Sequence, residues 1–170
     1  MRPSFLVCLN FTFNRSIKGI EVGVRYGDNA VSMLKGHPNL YLYLVDSYKE
    51  TDCPTAYEKT IDNLKPYSSR VRLIVDESVK AAAAFPDKFF DYVYIDGDHT
   101  LDGVNRDLDA WFPKVKDNGI FAGHDYWEKN VCSAVQRFVR KKDDSYLFVI
   151  DDLESAIMRD WFFIKRSKHV

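Results

Sequence analysis

The sequence predicts an α/β protein built on a doubly wound, mostly parallel sheet. Three observations carry this reading. Short apolar runs of strand length alternate with amphipathic stretches of helix length through most of the chain. The run FDYVYI, Phe90 to Ile95, is nearly all apolar, as expected of a strand covered on both faces. The last two apolar runs, SYLFVI and DWFFIK, have no convincing helix between them, so they pair as a hairpin and one of them runs antiparallel to the rest.

Each element follows from its own residues. KGIEVGV, Lys18 to Val24, reads as a strand ending in a glycine-containing turn. Asp28 is placed to cap a helix over Asn29 to Lys35. NLYLYLVDS, Asn39 to Ser47, is the second strand. Thr55 and Glu58 have capping-box spacing and open a helix to about Leu64. RVRLIV, Arg70 to Val75, is the third strand, and the run Ala81 to Ala84 lies in the helix after it. After the fourth strand, Leu101, Val104, Leu108, Phe112 and Val115 recur at helical spacing. Asn118-Gly119 marks a turn before a fifth strand, Ile120 to Gly123. Val131, Ala134, Val135, Phe138 and Val139 form another helical stripe. Ser145 to Ile150 and Asp160 to Lys165 are the sixth and seventh strands.

With 170 residues and 46% hydrophobic content, one globular domain over residues 1–170 is expected. A net charge of −1 gives no support for nucleic-acid binding. The basic cluster Arg137, Arg140, Lys141 and Lys142 reads as the solvated end of a helix. Cys8, Cys53 and Cys132 show neither zinc spacing nor a disulfide framework, which favours a reducing, cytoplasmic setting. The start MRPSFLVCLNFTF lacks a small-residue cleavage site and reads as an ordinary strand or helix start rather than a signal peptide. No apolar run approaches a membrane span.

In open sheets of this kind ligands bind beyond the carboxyl ends of the strands. The first strand ends in E-x-G-x-x-x-G, Glu21 to Gly27, where Gly23 and Gly27 would let backbone approach a ligand closely. A dinucleotide pattern would need glycine at Arg25 and Asp28 as well, so a pyrophosphate clamp is disfavoured. The second strand ends at Asp46, at the roughly 20-residue spacing from Gly23 expected of a ribose-binding acid. After the third strand, Asp76, Glu77 and Ser78 could meet an adenine amino group or cap the next helix. The fourth strand delivers Asp96, Asp98 and His99, and the fifth delivers His124 and Asp125. Capping by Asp98 and Thr100 accounts for part of the first cluster, not for two Asp/His clusters at adjacent strand ends. Carboxylates converging from separate strands suit a hard divalent cation.

The segments EVGVRYG, VDS, DYVYIDGDHT and NGIFAGHDYW resemble those of class I S-adenosylmethionine-dependent methyltransferases. The subgroup they are most similar to is the small-molecule O-methyltransferases of catechol and macrolide-sugar type. The resemblance covers about Lys18 to Lys165 and implies a Rossmann-like sheet of seven strands with the last one antiparallel. Residues 18–165 would then be the catalytic core and 1–17 a short leading segment. It further implies that Glu21, Gly23 and Gly27 line the methionine and ribose part of the cofactor. Asp46 would bind the ribose hydroxyls, and Glu77 and Ser78 would border the adenine. Asp96 would stand beside cofactor and acceptor, and His99 would be the base. Asp96 and Asp125, with His124 as a further candidate ligand, would hold magnesium or another divalent cation. His124 and Tyr126 stand where relatives often carry an amide or carboxylate ligand, which leaves metal dependence open.

The expected reaction is methyl transfer to a hydroxyl of a small molecule, with no nucleic-acid or membrane partner; a homo-oligomer is compatible with the sequence. A metal-independent N- or O-methyltransferase and a non-catalytic S-adenosylmethionine-binding protein are the alternatives. A nicotinamide oxidoreductase is disfavoured by the absent G-x-G-x-x-G and by the terminal hairpin. Acceptor specificity is expected in the first 17 residues and the loops Ser47 to Pro54 and Tyr126 to Asn130, with Tyr126 and Trp127 either walling a pocket or covering the core edge.

Overall fold

The structure is a computed structural model that describes residues 2–12, 14–49, 54–142, 147–152 and 155–166, without the side chains of residues 11 and 151–158. The elements are α1 (Pro3–Thr12), β1 (Ile17–Val22), α2 (Asp28–Gly36), β2 (Leu40–Asp46), α3 (Ala56–Leu64), β3 (Val71–Val75), α4 (Ser78–Ala83) and β4 (Phe90–Ile95). Then come α5 (Leu101–Trp111), β5 (Val115–Gly123), α6 (Lys129–Lys141), β6 (Phe148–Asp152) and β7 (Ser155–Ile164). One seven-stranded sheet has the order β3-β2-β1-β4-β5-β7-β6. The pairings from β3 through β5 are parallel, and β7 is antiparallel to both β5 and β6. The doubly wound sheet and the reversed seventh strand expected from the sequence are therefore present.

Side chains alternate across a strand, so each strand feeds both faces. On β4, Val93 and Ile95 join one apolar cluster and Tyr92 and Tyr94 the other. Ala81 and Ala82 of α4, Val104, Leu108 and Trp111 of α5, and Val131, Ala134, Val135 and Phe138 of α6 cover the first face. Phe5 and Cys8 of α1, Ala30, Met33 and Leu34 of α2, and Leu64 of α3 cover the second. All six residues of β4 are buried, which is why this strand is legible from composition alone. Fully burying one such side chain contributes about 1.5–3 kcal/mol before chain entropy is subtracted.

Some boundaries differ from the expectation. Asp28 is the first residue of α2 rather than its cap; the N-cap is Gly27, in the left-handed conformation. Helix α5 ends at Trp111, not at Val115, because Pro113 interrupts the hydrogen-bond ladder in a short 3-10 turn. Strand β5 begins at Val115, ahead of the Asn118-Gly119 break. Asn118 takes φ +61, which asparagine tolerates, and the register against β4 shifts there while pairing resumes. Ser145 and Tyr146, assigned to the sixth strand, lie outside the described residues.

Register puts the functional ends at one level. Val22 pairs with Val45 on one side and Ile95 on the other, and Ile95 pairs with Gly123. The next residues of β1, β2, β4 and β5 are Gly23, Asp46, Asp96 and His124. Alternation of strands and helices along the chain thus delivers four separate segments to one edge.

Candidate active site

The turn after β1 is tightly held. Gly23 has φ +86, and a Cβ there would collide with the Asp96 carbonyl, so the glycine permits the β1 and β4 exits to touch. Gly27 has φ +79 but only ordinary van der Waals contact where its Cβ would be, so its requirement is conformational. Between them, the amides of Val24 and Arg25 donate to Asp46 Oδ2 at 2.8 and 2.9 Å, and the Tyr48 amide donates to Oδ1 at 2.8 Å. Asp46 is therefore aimed at the glycine turn. An ionised carboxylate has roughly four acceptor positions, so capacity remains on Oδ1.

Glu21 lies beneath this turn, 2% exposed. Its Oε1 accepts from Asn29 Nδ2 at 2.9 Å, while Oε2 is buried with no partner. Burial pushes the Glu21 carboxyl up to about 8, against the Asn29 bond. An unpartnered buried carboxyl beside a glycine turn suits a cationic, hydrogen-bonding ligand such as an ammonium group.

Glu77 and Ser78 do not share one environment. Glu77 is exposed and meets Lys49 Nζ at 2.6 Å. The Ser78 hydroxyl faces inward: it donates to Asp107 Oδ1 at 2.5 Å and accepts from Trp111 Nε1 at 2.9 Å. That bond network ties α4 to α5. Asp76 pairs with Lys80 at 2.9 Å.

The exits of β4 and β5 bring the remaining groups together. The Asp96 amide donates to Val22 O at 2.7 Å and the His124 amide to Ile95 O at 3.1 Å, which fixes both side chains over the sheet edge. His124 Nδ1 is 3.0 Å from Asp125 Oδ1 and 3.6 Å from Asp96 Oδ1. His99 Nε2 lies 3.3 Å from Asp125 Oδ2 and 3.8 Å from Asp96 Oδ1, and its Nδ1 lies 3.2 Å from Glu128 Oε1. Asp125 sits at φ +52, a conformation that favours a short polar side chain and concentrates at functional sites. Thr100 caps α5, its Oγ1 accepting the Gly103 amide, whereas Asp98 Oδ1 accepts the Thr100 amide and so shapes the turn before the helix rather than capping it.

The charges shape the chemistry. Asp96 above all, then Asp125 and Glu128, push the His99 imidazole up to about 9 despite partial burial. For His124 burial opposes the charged form, yet Asp125 and Asp96 still push it up to about 9. Burial also works against the Asp125 carboxylate, but His124, the Trp127 indole and His99 hold it below the ordinary range.

Three residues not singled out from the sequence as site members join the cluster. Glu128 stands at the N-cap position of α6 with its side chain turned to His99 instead of the helix amides; its position three residues past Asp125, at a helix start, could have signalled it. Trp127, expected only as pocket wall or edge cover, is about half exposed and donates its indole N–H to Asp125 Oδ1 at 2.9 Å. Arg2 places Nη1 2.6 Å from His124 Nε2 and Nη2 3.5 Å from Asp96 Oδ2; no local signal marks it. An Arg N–H can only donate, so His124 Nε2 presents its lone pair and the ring proton sits on Nδ1, toward Asp125. That contact demands the neutral ring, whereas the carboxylates favour the charged one; with Arg2 seated the contact decides.

Two hollows lie away from this edge. One of about 430 Å³ runs along α6 by Arg137, Arg140 and Lys141, and one of about 300 Å³ lies between α1 and β5 by Cys8, Asp91 and Ile120. The chemistry is on the open rim of the sheet.

This sheet order and reversed seventh strand are those of class I S-adenosylmethionine-dependent methyltransferases. The chain belongs to the methyltransferase-domain family, whose sequence profile matches residues 20–126. Among solved structures it is similar to a precorrin-6y C5,15-methyltransferase from Geobacter metallireducens, at 14% identity and a TM-score of 0.72, over 96% of this chain and 87% of that one. It is similar to an rRNA methylase from Streptococcus thermophilus at 14% identity and a TM-score of 0.72, over 98% of both chains. A precorrin 8w decarboxylase from Methanobacterium thermoautotrophicum gives 15% identity and a TM-score of 0.69, over 94% of this chain and 87% of that one. At such identities the likeness is one of fold. A search of curated protein sequences finds no match. The chain is an S-adenosylmethionine-dependent methyltransferase, and among its described residues no helix is long and apolar enough to cross a membrane.

Proposed function

We propose that this enzyme methylates a hydroxyl group of a small molecule at the rim where β1, β4 and β5 end. The observation that carries the proposal is the meeting of His99 with Asp96, Asp125 and Glu128 next to the Gly23 turn. S-adenosylmethionine, when bound, supplies an electrophilic methyl carbon on a sulfonium sulfur. Gly23 and Gly27 shape the turn that would hold it, Glu21 Oε2 offers an unpartnered carboxyl oxygen that a cationic group would hold ionised, and Asp46 offers remaining capacity on Oδ1. Glu77 stands on the exposed side where adenine would rest, whereas the Ser78 hydroxyl is engaged in the core.

A hydroxyl is a weak nucleophile until its proton leaves. His99 Nε2 faces the rim between Asp96 and Asp125 and takes that proton in its neutral form. Glu128 on Nδ1 holds the ring's orientation and stabilises the imidazolium that results. Oxygen gains the methyl, sulfur keeps the bonding electron pair, and the proton ends on His99. Alignment of acceptor and donor contributes several kcal/mol, up to about 7–11 in the best-oriented reference reactions.

A small acceptor is favoured over a polyanion because the Asp96, Asp125 and Glu128 carboxylates outnumber the Arg2 and His99 cations at the rim, which leaves it no positive surface for phosphates. The exposed Trp127 indole beside Asp125 offers such an acceptor an apolar face. A divalent cation on Asp96, His124 and Asp125 does not fit while Arg2 engages His124 and Asp96, so no step is assigned to a metal.

The test is transfer of labelled methyl from S-adenosylmethionine to a panel of phenols, sugars and other alcohols, beside amines and RNA. Label in an alcohol product, abolished by His99→Ala, is expected. Label only in RNA or in amines would refute the hydroxyl reading.

A further inference from the structure

We infer that Arg2 is the resident cation of the Asp96–His124–Asp125 centre, seated where a divalent ion would otherwise bind. The inference rests on the methyltransferase reading and deepens it: transfer at this rim runs without a metal.

The donor atoms of Asp96, His124 and Asp125 lie within 4.8 Å of one another, close enough to share an ion. Yet imidazole binds a metal only through a lone pair. The Nε2 lone pair of His124 faces Arg2 at 2.6 Å, and Nδ1 directs its proton at Asp125, 3.0 Å away. With Arg2 in place the ring has no free donor. The guanidinium also reaches Asp96 Oδ2 at 3.5 Å, so it balances part of the carboxylate charge that a metal would balance. The neighbouring group of His99, Asp125 and Glu128 is also close enough to share an ion. There, Nε2 of His99 rests 3.3 Å from Asp125 and Nδ1 3.2 Å from Glu128, and Nε2 is the nitrogen left to meet the acceptor's proton.

The seat of Arg2 is built into the fold. Two residues on, the buried Ser4 donates its amide and hydroxyl to Asp160 Oδ2 at 3.0 and 2.7 Å. Tyr94 donates to Asp160 Oδ1 at 2.9 Å, and Ser4 Oγ accepts from the Tyr92 hydroxyl at 2.9 Å. Phe5, fully buried, meets the Tyr92 ring edge-on at 5.1 Å. The first turn of α1 is thus fastened to β4 and β7, and Arg2 extends from it over the strand ends. Arg2 is a positioning residue here: it sets the His124 tautomer and thereby keeps Asp125 available to His99.

Calorimetric titration with Mn2+ tests the inference on wild type, Arg2→Gln and Arg2→Lys, with the melting shift caused by S-adenosylhomocysteine measured on each. Wild type and Arg2→Lys should take up no Mn2+ at concentrations up to about 1 mM, a regime of about −4 kcal/mol. Arg2→Gln should bind a single Mn2+ at least tenfold more tightly. Stoichiometric Mn2+ binding by wild type overturns the inference, whether or not the variants fold. Equal behaviour of folded Arg2→Gln and wild type overturns it as well. Loss of the S-adenosylhomocysteine shift in wild type would instead strike the methyltransferase site itself, so the two failures are told apart.

Discussion

Nη1 of Arg2 stands 2.6 Å from Nε2 of His124, a contact that spans 122 positions of the chain. It joins the first helix to the exit of β5 and fixes which histidine nitrogen carries the proton. Around it, His99 keeps the free rim and three carboxylates. A division of labour follows: His124 is held by the protein, and His99 is left to meet the acceptor.

Base catalysis by His99 sets the pH dependence. Its pKa is pushed up to about 9, so the imidazole is mostly protonated at neutral pH and must lose that proton to act. Activity, measured as kcat/KM, should climb as pH rises toward 9 and level beyond it. His99→Ala should remove about 10²–10⁴-fold of the rate and flatten that limb. A profile already level from pH 6 would show that another group takes the proton.

Gly23→Ala tests the close approach of the β1 and β4 exits. The new Cβ meets the Asp96 carbonyl at a backbone φ of +86, so strain and collision coincide. The variant should lose on the order of 1–3 kcal/mol of stability or more, and S-adenosylhomocysteine affinity with it. Melting curves with and without that ligand report both; a wild-type response would mean the turn is not where the ligand sits.

Ser78→Ala separates a structural serine from a cofactor contact. It strips the Asp107 carboxyl and the Trp111 indole of their shared partner. A loss of about 1–3 kcal/mol in denaturant unfolding is expected, with ligand affinity unchanged. Weakened ligand binding at unchanged stability would restore the adenine role.

Buried acids give stability an unusual slope. Burial pushes Asp107 up to about 6 and Glu21 up to about 8. In each case the folded state keeps a proton that the unfolded chain releases, so rising pH favours unfolding. Stability should fall from about pH 4 to about 8, with Asp107 contributing on the order of 3 kcal/mol by pH 6. Asp107→Asn should flatten the lower part of the decline and Glu21→Gln part of the upper, where the raised His99 imidazole also gives up stability as pH rises. Stability that instead rises across this interval in wild type would contradict the burial of these groups as acids.

The legible parts of the sequence were those where one segment answers one physical demand. Strand β4 is apolar on both faces, and the glycine turn and Asp46 announce themselves by type and spacing. Two clusters of Asp and His at adjacent strand ends predicted a shared site, and register brings them level. Boundaries were less legible: Asn118-Gly119 read as a turn, but the positive φ at Asn118 bends β5 without ending it. Ser78 was ambiguous because a hydroxyl after a strand serves a ligand or a neighbouring helix equally well. Arg2 was invisible because nothing near it in sequence explains its position. Ser4, two residues on, anchors it only through Tyr92, Tyr94 and Asp160, which come from two distant strands.

Methyl transfer at this rim requires the β1 turn, Glu21 and Asp46 to form a pocket for an adenosyl sulfonium. Calorimetric titration of wild type with S-adenosylhomocysteine, alongside NAD, tests it most directly. Saturable one-to-one binding of S-adenosylhomocysteine is expected, with none of NAD, and at least about a tenfold weakening, roughly 1.4 kcal/mol, in Asp46→Ala. Absence of S-adenosylhomocysteine binding to the folded protein, or equal affinity for NAD, would contradict it.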